Sequence, residues 1–421
     1  MRFDTDVVVV GAGAAGLSAA KELQAHGLEC VVVEGAPRIG GRACSREIAP
    51  GVWFDLGCGF LHQGKTNPFV PIAEALGIEL NHGHSDLLSK LRGFRHGRAL
   101  EGEDAAEFER FFFACETELA ASVARGEDRA IVELVDQDTA FFPPYASLLA
   151  AVNSLDVDDV SAADYIGFAQ SEEGEKSDIP VPKGYGNLVK AWGGDVAVTL
   201  DCAAERIDWS GPGTSVETVK GRLRSRVALV TVSTGVLAAD SIRFSPALPD
   251  WKVDAYLALP CGTVNKTCLH FDRDIFGPDG PGLYTTWGTT GPAALFEANV
   301  NATNTATVFT SGRHGTWLEQ QGQAAAEAFA LDSVASVFGN AIRKQVTACL
   351  TTAWASEPWT RGAYSCARPA QAKQRQALAR PIDDLLFFAG EATIQGANAT
   401  CHGAYLSGIR AAQEIATSLD R

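Results

Sequence analysis

The sequence VVVVGAGAAGLSAAKELQAHGLECVVVEGAPRIGGR, residues 7–42, contains two predicted strands joined by a glycine-rich turn and a helix. Gly11 lets the chain turn sharply out of the first strand, and Gly13 lets the backbone approach a pyrophosphate. Gly16 lets the helix predicted from Ala14 to His26 pack closely against the strand. Because the positive N-terminus of that helix then faces the pyrophosphate, this order of elements predicts a Rossmann-like unit that binds a dinucleotide.

An acidic residue ends the second predicted strand. Glu34 follows Val31-Val32-Val33, about 20 residues after the glycine turn, where a carboxylate hydrogen-bonds the ribose hydroxyls of a dinucleotide. An Arg at this position would favour NADP, whereas an acid favours an unphosphorylated ribose. These residues alone leave NAD and FAD as alternatives.

The loop after Glu34 separates the two cofactors. Its sequence, Gly35-Ala36-Pro37-Arg38-Ile39-Gly40-Gly41-Arg42, resembles the second glycine-and-arginine loop of the flavin-containing amine oxidase and phytoene desaturase superfamily. In that superfamily the Arg side chain and the loop amides add to the FAD diphosphate site. The resemblance therefore implies FAD.

A second motif, near the end of the sequence, agrees with this family. Residues 385–408, LLFFAGEATIQGANATCHGAYLSG, strongly resemble the C-terminal flavin motif of polyamine oxidases and lysine-specific histone demethylases. The resemblance implies that Glu391 lies near the FAD ribityl and diphosphate groups, and that Ala399 and Thr400 lie at the flavin pyrimidine edge. The residues expected to contact FAD are Gly11, Gly13, Ala15, Gly16, Glu34, Gly35, Gly41, Arg42, Gly57, Ala204, Trp354, Gly390, Glu391, Ala399 and Thr400.

Three residues are candidates for the chemistry. Lys266 lies in an apolar segment, where a Lys taken alone more often reaches the surface, but the segment resembles the family's strand whose Lys holds a water against flavin N5. His62 lies in a segment similar to the one whose His or acid points into the substrate tunnel of polyamine oxidases, and a His suits proton transfer near neutral pH. Tyr364 matches one wall of the aromatic pair that holds the substrate nitrogen in monoamine and many polyamine oxidases.

The chain departs from the family pattern at two places. Monoamine oxidases carry a Cys that binds flavin covalently at the position matched by Ala363, so we expect noncovalent FAD. The second aromatic wall falls on Thr400, and the alternative aromatic site of histone demethylases falls on Ala397. The second aromatic wall is therefore missing, and the candidates to replace it are Trp287, Tyr284 and Trp359.

Composition and charge argue against several other classes of protein. The 421 residues are 46% hydrophobic and 20% charged, as in an ordinary globular enzyme, and the net charge of -16 argues against a nucleic-acid surface. No apolar run approaches the ~20 residues of a membrane helix, and the first residues do not resemble a secretory signal. The 10 cysteines form no C-x-x-C pair, and His82 and His84 have no ligand partners nearby, so we expect reduced thiols, no metal site and a cytoplasmic location.

The sequence predicts an α/β fold with two domains. A discontinuous Rossmann-like FAD-binding domain is expected from residues 1–75, 180–250 and 355–421, and an α+β substrate-binding domain from residues 76–179 and 251–354. The charged segment 171–178 is expected to return the chain between the domains. On a helix predicted from Glu103 to Ala124, the aromatic run Phe111-Phe112-Phe113 is expected in the core.

Together these features predict an FAD-dependent amine oxidase that acts on a polyamine or another small primary or secondary amine. A hydride would pass from the carbon beside a neutral nitrogen to flavin N5, the resulting imine would hydrolyse, and O2 or another acceptor would reoxidise the flavin. The alternatives are an L-amino-acid oxidase or a flavin desaturase or dehydrogenase of the same fold, and a flavin-binding partner protein without turnover. The sequence leaves the oligomeric state open.

Overall fold

The structure is a computed structural model that describes residues 3–82, 91–171, 178–278, 280–288 and 291–420. His84 and most of the charged segment 171–178 lie outside the described residues, so the expectations for them are not tested. None of the helices within those ranges has the length and hydropathy that crossing a bilayer requires.

The strands and helices of the described residues follow one another along the whole chain. The strands are β1 (Thr5–Val10), β2 (Cys30–Val33), β3 (Ser45–Ala49), β4 (Val52–Asp55), β5 (Phe60–Leu61), β6 (Leu91–Arg95), β7 (Arg98–Ala99), β8 (Ile179–Pro180), β9 (Val198–Thr199), β10 (Ala204–Asp208), β11 (Thr214–Thr218), β12 (Gly221–Val230), β13 (Arg243–Ser245), β14 (Val264–Phe271), β15 (Gly282–Trp287), β16 (Ala294–Ala298), β17 (Thr305–Ser311), β18 (Val346–Thr351) and β19 (Leu386–Phe388). The α-helices are α1 (Ala14–Ala25), α2 (Phe69–Ala75), α3 (Gly102–Ala124), α4 (Phe142–Asn153), α5 (Ala162–Ser171), α6 (Tyr185–Gly193), α7 (Thr234–Ala238), α8 (Asp250–Leu257), α9 (Gly312–Gln321), α10 (Gln323–Phe338), α11 (Gln374–Ala379) and α12 (Cys401–Leu419).

The first large sheet has the strand order β13-β10-β11-β12-β1-β2-β9, and β19 also pairs with β12. β1 runs parallel to both of its neighbours, β2 and β12. Its four valines are at most 4% exposed, which is why this strand is apolar on both faces. α12 packs on α1 so closely that a Cβ at Gly408 would lie 2.1 Å from the Ala15 carbonyl oxygen. The end of the chain therefore rests on its first helix.

The second large sheet has the order β18-β14-β17-β16-β15-β6-β7 and is antiparallel except where β15 pairs with β6. Its strands come from the parts of the chain that the first sheet does not use. Two short pairs, β3 with β4 and β5 with β8, complete the strands of the described residues.

Much of the predicted architecture is confirmed. The fold is mixed α/β, and the first sheet takes strands from the beginning, middle and end of the chain. The domain boundaries drawn from the sequence remain a prediction. The prediction of a fully buried aromatic run is wrong at Phe113, which is 75% exposed, whereas Phe111 and Phe112 are partly buried against the core.

Candidate functional site

A cavity of about 1210 Å³ is lined by residues from both large sheets. Every predicted site residue lines this cavity except Gly16, which packs behind the glycine turn. The lining continues from the glycine turn and Glu34 to Lys266 and Glu297 on the second sheet. Residues from distant parts of the sequence therefore share one space.

The glycine turn forms one end of the cavity. Gly11 has a φ of 109°, a conformation that favours glycine, and a Cβ at Gly16 would lie 1.9 Å from the Gly11 carbonyl oxygen. A Cβ at Gly13 would meet no atom within 4 Å, so this backbone is open to the cavity. α1 begins there without a side-chain cap and without an acid in its first turn. Its N–H groups therefore remain for an anionic ligand.

The Glu34 carboxylate is fixed beside this turn by two backbone N–H groups. Ala12 N–H donates to Oε2 at 2.7 Å and Ala36 N–H donates to Oε1 at 2.8 Å. Next to it, the Trp359 ring covers Gly35, where a Cβ would lie 2.5 Å from a ring carbon. Because Trp359 packs at the nucleotide end, it does not replace the missing substrate wall.

Arg42 and Glu391 meet near the middle of the cavity lining. Arg42 Nη1 donates to Glu391 Oε1 at 2.9 Å and to the Ala363 carbonyl at 2.8 Å. Within the described residues the side-chain hydrogen bonds of Arg42 all start from Nη1, which leaves Nε and Nη2 for a ligand. Gly57 is required here, because a Cβ would lie 1.9 Å from the Arg42 carbonyl oxygen.

Thr400 caps helix α12 and does not provide the second aromatic wall for the substrate. Its Oγ1 donates to the Ala397 carbonyl at 2.7 Å and accepts from Gly403 N–H at 2.9 Å, as an N-cap residue does. Beside it, the buried Asn398 Oδ1 has no hydrogen-bond partner within the described part of the chain. The site fits a flavin dinucleotide because, among the described residues, it offers the unpaired Asn398 Oδ1, the uncapped N-terminus of α1 and the free Nε and Nη2 groups of Arg42.

A buried ion pair supports this region, and the sequence patterns did not reveal it. Arg375, which is 1% exposed, donates to both oxygens of Asp164 at 2.6 Å and to Ser365 Oγ at 2.9 Å. Ser365 in turn donates through Oγ to Glu391 Oε2 at 2.7 Å and through its N–H to Oε1 at 3.1 Å. The network links helices α5 and α11 to Glu391. Asp164 lies 211 residues before Arg375 in the chain, so local patterns carry no trace of their ion pair.

Lys266 extends from β14 into the cavity. Its Nζ donates to the Gly57 carbonyl at 2.7 Å and to the Asp55 carbonyl at 3.2 Å. It lies 5.8 Å from the centre of the Phe309 ring. The side chain is therefore tied to the segment that precedes His62 and lines the cavity.

His62 is paired with an acid that the sequence analysis did not select. Its Nδ1 lies 2.6 Å from Asp178 Oδ1, and both residues line the cavity. Burial raises the pKa of Asp178, but the facing His62 more than offsets this, and the net pKa lies below its usual value.

Of the aromatic residues considered for the substrate walls, Tyr364 and Trp359 line the cavity, and the role of Tyr364 as a wall remains a prediction. The Tyr364 hydroxyl donates to the Ala151 carbonyl of α4, which holds the ring at the cavity. Trp287 stacks on Phe108 and Tyr284 stacks on Phe296, and neither Trp287 nor Tyr284 is among the cavity-lining residues. The hypothesis that one of them replaces the missing wall is therefore wrong.

The model of the family described as flavin containing amine oxidoreductase matches residues 14–416. The chain belongs to this family. Polyamine oxidase 3 from Oryza sativa subsp. japonica is 28% identical over 97% of this chain and 88% of that protein. Lysine-specific histone demethylase 1 homolog 3 from Arabidopsis thaliana is 25% identical over 97% of this chain but only 30% of its own length. The protein is an FAD-dependent oxidoreductase that acts on amines.

Solved structures share the fold of this flavin amine oxidoreductase. Cyclohexylamine oxidase from Brevibacterium oxydans IH-35A superposes with a TM-score of 0.83 at 23% identity, over 99% of this chain and 100% of that one. A double mutant of putrescine oxidase with redesigned cofactor binding gives a TM-score of 0.80 at 19% identity, over 99% of both chains.

Glu297 and Glu116 are among the further acids in the cavity of the flavin amine oxidoreductase, and sequence reasoning missed both. The carboxylate of Glu297, on β16, has no hydrogen bond or ion pair within the described residues, and burial raises its pKa to about 7 although the nearby Lys266 opposes the rise. Glu116, on α3, accepts hydrogen bonds from the hydroxyls of Tyr145 and Tyr165, each at 3.0 Å. A Glu inside the otherwise apolar strand Ala294–Ala298 was the available sequence signal for the first.

Proposed function

We propose that this protein is an amine oxidase whose substrate carries a second positive charge, as a short diamine or a polyamine does. The observation that carries this proposal is Glu297, a carboxylate in the cavity without a cationic partner in ion-pair range among the described residues. A buried carboxylate of this kind gains most from a cationic ligand. Asp178 adds to the acidic character of the same lining.

The reacting nitrogen must lose its proton before oxidation, and His62 supplies the base. A bond from Nδ1–H to Asp178 fixes the ring and makes Nε2 the basic nitrogen. Bound FAD would supply the acceptor for the hydride of the carbon beside the neutral nitrogen, with O2 or another acceptor as the final electron acceptor. Tyr364 orients the amine with its ring, and the apolar side chains of Phe309 and Leu295 exclude water.

Lys266 has a different task. Its ammonium holds the Gly57 and Asp55 carbonyls, which fixes the chain segment leading to His62. From the same position it would hold a water at the edge of the bound cofactor. The residues near the nucleotide, from Gly11 to Arg42 and from Gly390 to Thr400, bind FAD and take no part in proton transfer.

An L-amino-acid oxidase is disfavoured by the charges in the cavity. Such an enzyme needs a cation that clamps the substrate carboxylate. Among the described lining residues the arginines are Arg38, Arg42 and Arg361. Arg38 and Arg42 belong to the nucleotide loop, and Arg361 belongs to the segment around Trp359. The substrate end instead presents Glu297, which would repel a carboxylate.

The test compares 1,4-diaminobutane with butylamine as reductants of the bound flavin under nitrogen. We expect the wild type to need far less diamine than monoamine for half-maximal reduction rate. Glu297→Gln should raise the half-saturating diamine concentration about 10- to 100-fold, since a charge-assisted contact is worth ~1.5–3 kcal/mol, and should leave butylamine nearly unchanged. Glu116→Gln is the matched control, because tyrosine hydroxyls already occupy that carboxylate.

The preference for the diamine should also depend on pH. Because the pKa of Glu297 is raised to about 7, the residue is neutral below that pH and negative above it. The half-saturating concentration of butylamine divided by that of 1,4-diaminobutane should therefore decrease as the pH falls below 7. Glu297→Gln should abolish this trend. Equal half-saturating concentrations of the two amines for the wild type at pH 8 would refute the proposal. A protein whose bound flavin is reduced by no amine would favour the alternative of a flavin-binding partner protein without turnover.

A further inference from the structure

Three consecutive backbone carbonyls beside the cavity are held by two side chains. Lys266 Nζ donates to the Asp55 carbonyl at 3.2 Å and to the Gly57 carbonyl at 2.7 Å. The indole Nε1 of Trp354 donates to the Leu56 carbonyl, which lies between these two in the chain, at 3.1 Å. Lys266 and Trp354 both line the cavity. The position of this short segment therefore depends on both side chains.

Asn265 contacts the backbone of these two residues from the opposite face of β14. Successive residues of a strand point to opposite faces, and Lys266 belongs to the described residues that line the cavity whereas Asn265 does not. Asn265 is 3% exposed, and its Oδ1 accepts from Trp354 N–H at 2.9 Å and from Thr352 Oγ1 at 3.2 Å. The same Thr352 oxygen accepts from Lys266 N–H at 2.8 Å. One amide oxygen therefore holds Trp354 directly and Lys266 through Thr352.

The partners of Asn265 fix the orientation of its amide. Nδ2 donates to Glu319 Oε2 of α9 at 2.7 Å. Because a carboxylate only accepts and the Trp354 N–H only donates, the reversed amide would lose both hydrogen bonds. Glu319 also accepts from Ala355 N–H at 3.3 Å and from Ser356 N–H at 2.6 Å. The pair of Asn265 and Glu319 therefore holds the chain around Trp354 from the side of α9.

We propose that Asn265 is a positioning residue for the flavin chemistry and acts through Trp354 and Lys266. Without its amide oxygen, the buried Trp354 N–H and the Thr352 hydroxyl lose their acceptor. The indole and the ammonium then lose the positions from which they hold residues 55–57. A displacement of ~1 Å at a reacting centre can lower a rate about 100-fold. The effect on rate rests on the proposed function of Lys266, whereas the effect on the chain segments does not.

The first measurement is amide hydrogen exchange of the FAD-loaded protein. In Asn265→Leu, peptides that cover residues 352–356 and 55–62 should exchange faster than in the wild type, and peptides of α1 should not. Thr267→Val is the matched control, because Thr267 is 1% exposed on the same face of β14 and its Oγ1 shares a hydrogen bond with Thr351 Oγ1 at 3.1 Å. This control should leave both segments at wild-type exchange.

The second measurement is the reduction of the bound flavin by 1,4-diaminobutane under nitrogen and its reoxidation by O2. Asn265→Leu should slow the half-reaction that Lys266→Met slows by ~10- to 100-fold. The half-saturating concentration of the diamine should change little, because Asn265 lies on the face of β14 away from the cavity. Thr267→Val should keep wild-type rates. A loss of general stability would not separate the maximal rate from the half-saturating concentration in this way.

A reversed pair tests the hydrogen bond itself. Asn265→Asp alone keeps an acceptor for the Trp354 N–H but places two carboxylates together, and it should slow the same half-reaction at pH 8. Asn265→Asp combined with Glu319→Gln exchanges donor and acceptor at unchanged net charge. The combined variant should recover most of the wild-type rate and the wild-type exchange. It decides the question even if Asn265→Leu fails to fold.

Three results would overturn the proposal. They are wild-type exchange and rates in Asn265→Leu, equal effects of Thr267→Val on both measurements, and a reversed pair that recovers neither. Wild-type rates in Lys266→Met would instead count against the proposed function of Lys266. The exchange of residues 55–62 then decides the role of Asn265, because that measurement does not depend on turnover.

Discussion

Lys266 has a structural task and, in the function we propose, a chemical one. Its ammonium donates to two backbone carbonyls, at Gly57 and Asp55, and a Cβ at Gly59 would lie 3.2 Å from the same nitrogen. A larger residue at position 59 would therefore press on the end of the Lys266 side chain. The residue is held rigidly, which is what a group that positions a water or a proton requires.

Replacing Lys266 with Met should leave FAD bound and slow the flavin half-reactions. Loss of a group that moves a proton costs ~10²–10⁴-fold in rate, so we expect at least a tenfold decrease in flavin reduction or reoxidation, measured by stopped-flow absorbance. Lys220→Met is a matched control, since Lys220 donates to the Leu200 carbonyl on the exterior. Wild-type rates for both half-reactions in Lys266→Met would rule out the role.

Glu297 is the residue that single-residue reasoning failed to select. Its strand, Ala294–Ala298, has apolar neighbours on both sides, and a Glu in such a strand more often reaches solvent. Only the packing of β16 beside β15 and β17 turns it toward Lys266. The sequence shows that an apolar strand contains a Glu, but it does not show which way the side chain of that Glu points.

At the scale of elements, the buried Arg375 joins two helices and a 3-10 turn. It pairs with Asp164 on α5 and, through Ser365, supports Glu391 in the turn Glu391–Thr393. Glu391 also accepts Ala399 N–H at 3.1 Å. The ion pair therefore fixes the carboxylate that orients both Arg42 and the segment before α12.

Arg375→Met should destabilise the protein by about 3–5 kcal/mol, because it leaves the Asp164 charge buried and unpaired. We expect a lower urea midpoint and faster FAD release. Adding Asp164→Asn to this variant should restore part of the loss. Arg313→Met, which removes an exposed partner of Asp158, should cost less than about 1 kcal/mol. An Arg375→Met protein as stable as the wild type would contradict this account.

At the scale of the whole molecule, the cofactor site is assembled from the beginning, middle and end of the chain. Residues 11–42 contribute the nucleotide end, residues 390–400 contribute the opposite wall, and the second sheet contributes Lys266 and Glu297. Because FAD would touch all of these parts, its binding energy adds directly to the stability of the folded chain.

FAD should therefore stabilise the protein without a covalent bond. Ala363 offers no thiol for attachment, so acid precipitation should release all flavin into the supernatant. The free energy of unfolding should rise by about 2.7 kcal/mol at a free FAD concentration 100 times its Kd, measured by thermal melts over a range of FAD concentrations. Flavin fluorescence that stays with the chain on a denaturing gel would contradict the prediction, and peptide mapping would then identify the attachment site.

The amino-acid sequence by itself determined the nucleotide end of the site, the cofactor and the family. Those features depend on backbone geometry within short segments: the Gly11 turn, the open backbone at Gly13, and Glu34 at the end of the next strand. Only the tertiary structure decided the substrate end. Asp178, Glu116 and Glu297 come from a loop, a helix and a strand that lie far apart in the chain, and a side chain's partners across such distances depend on how the elements pack.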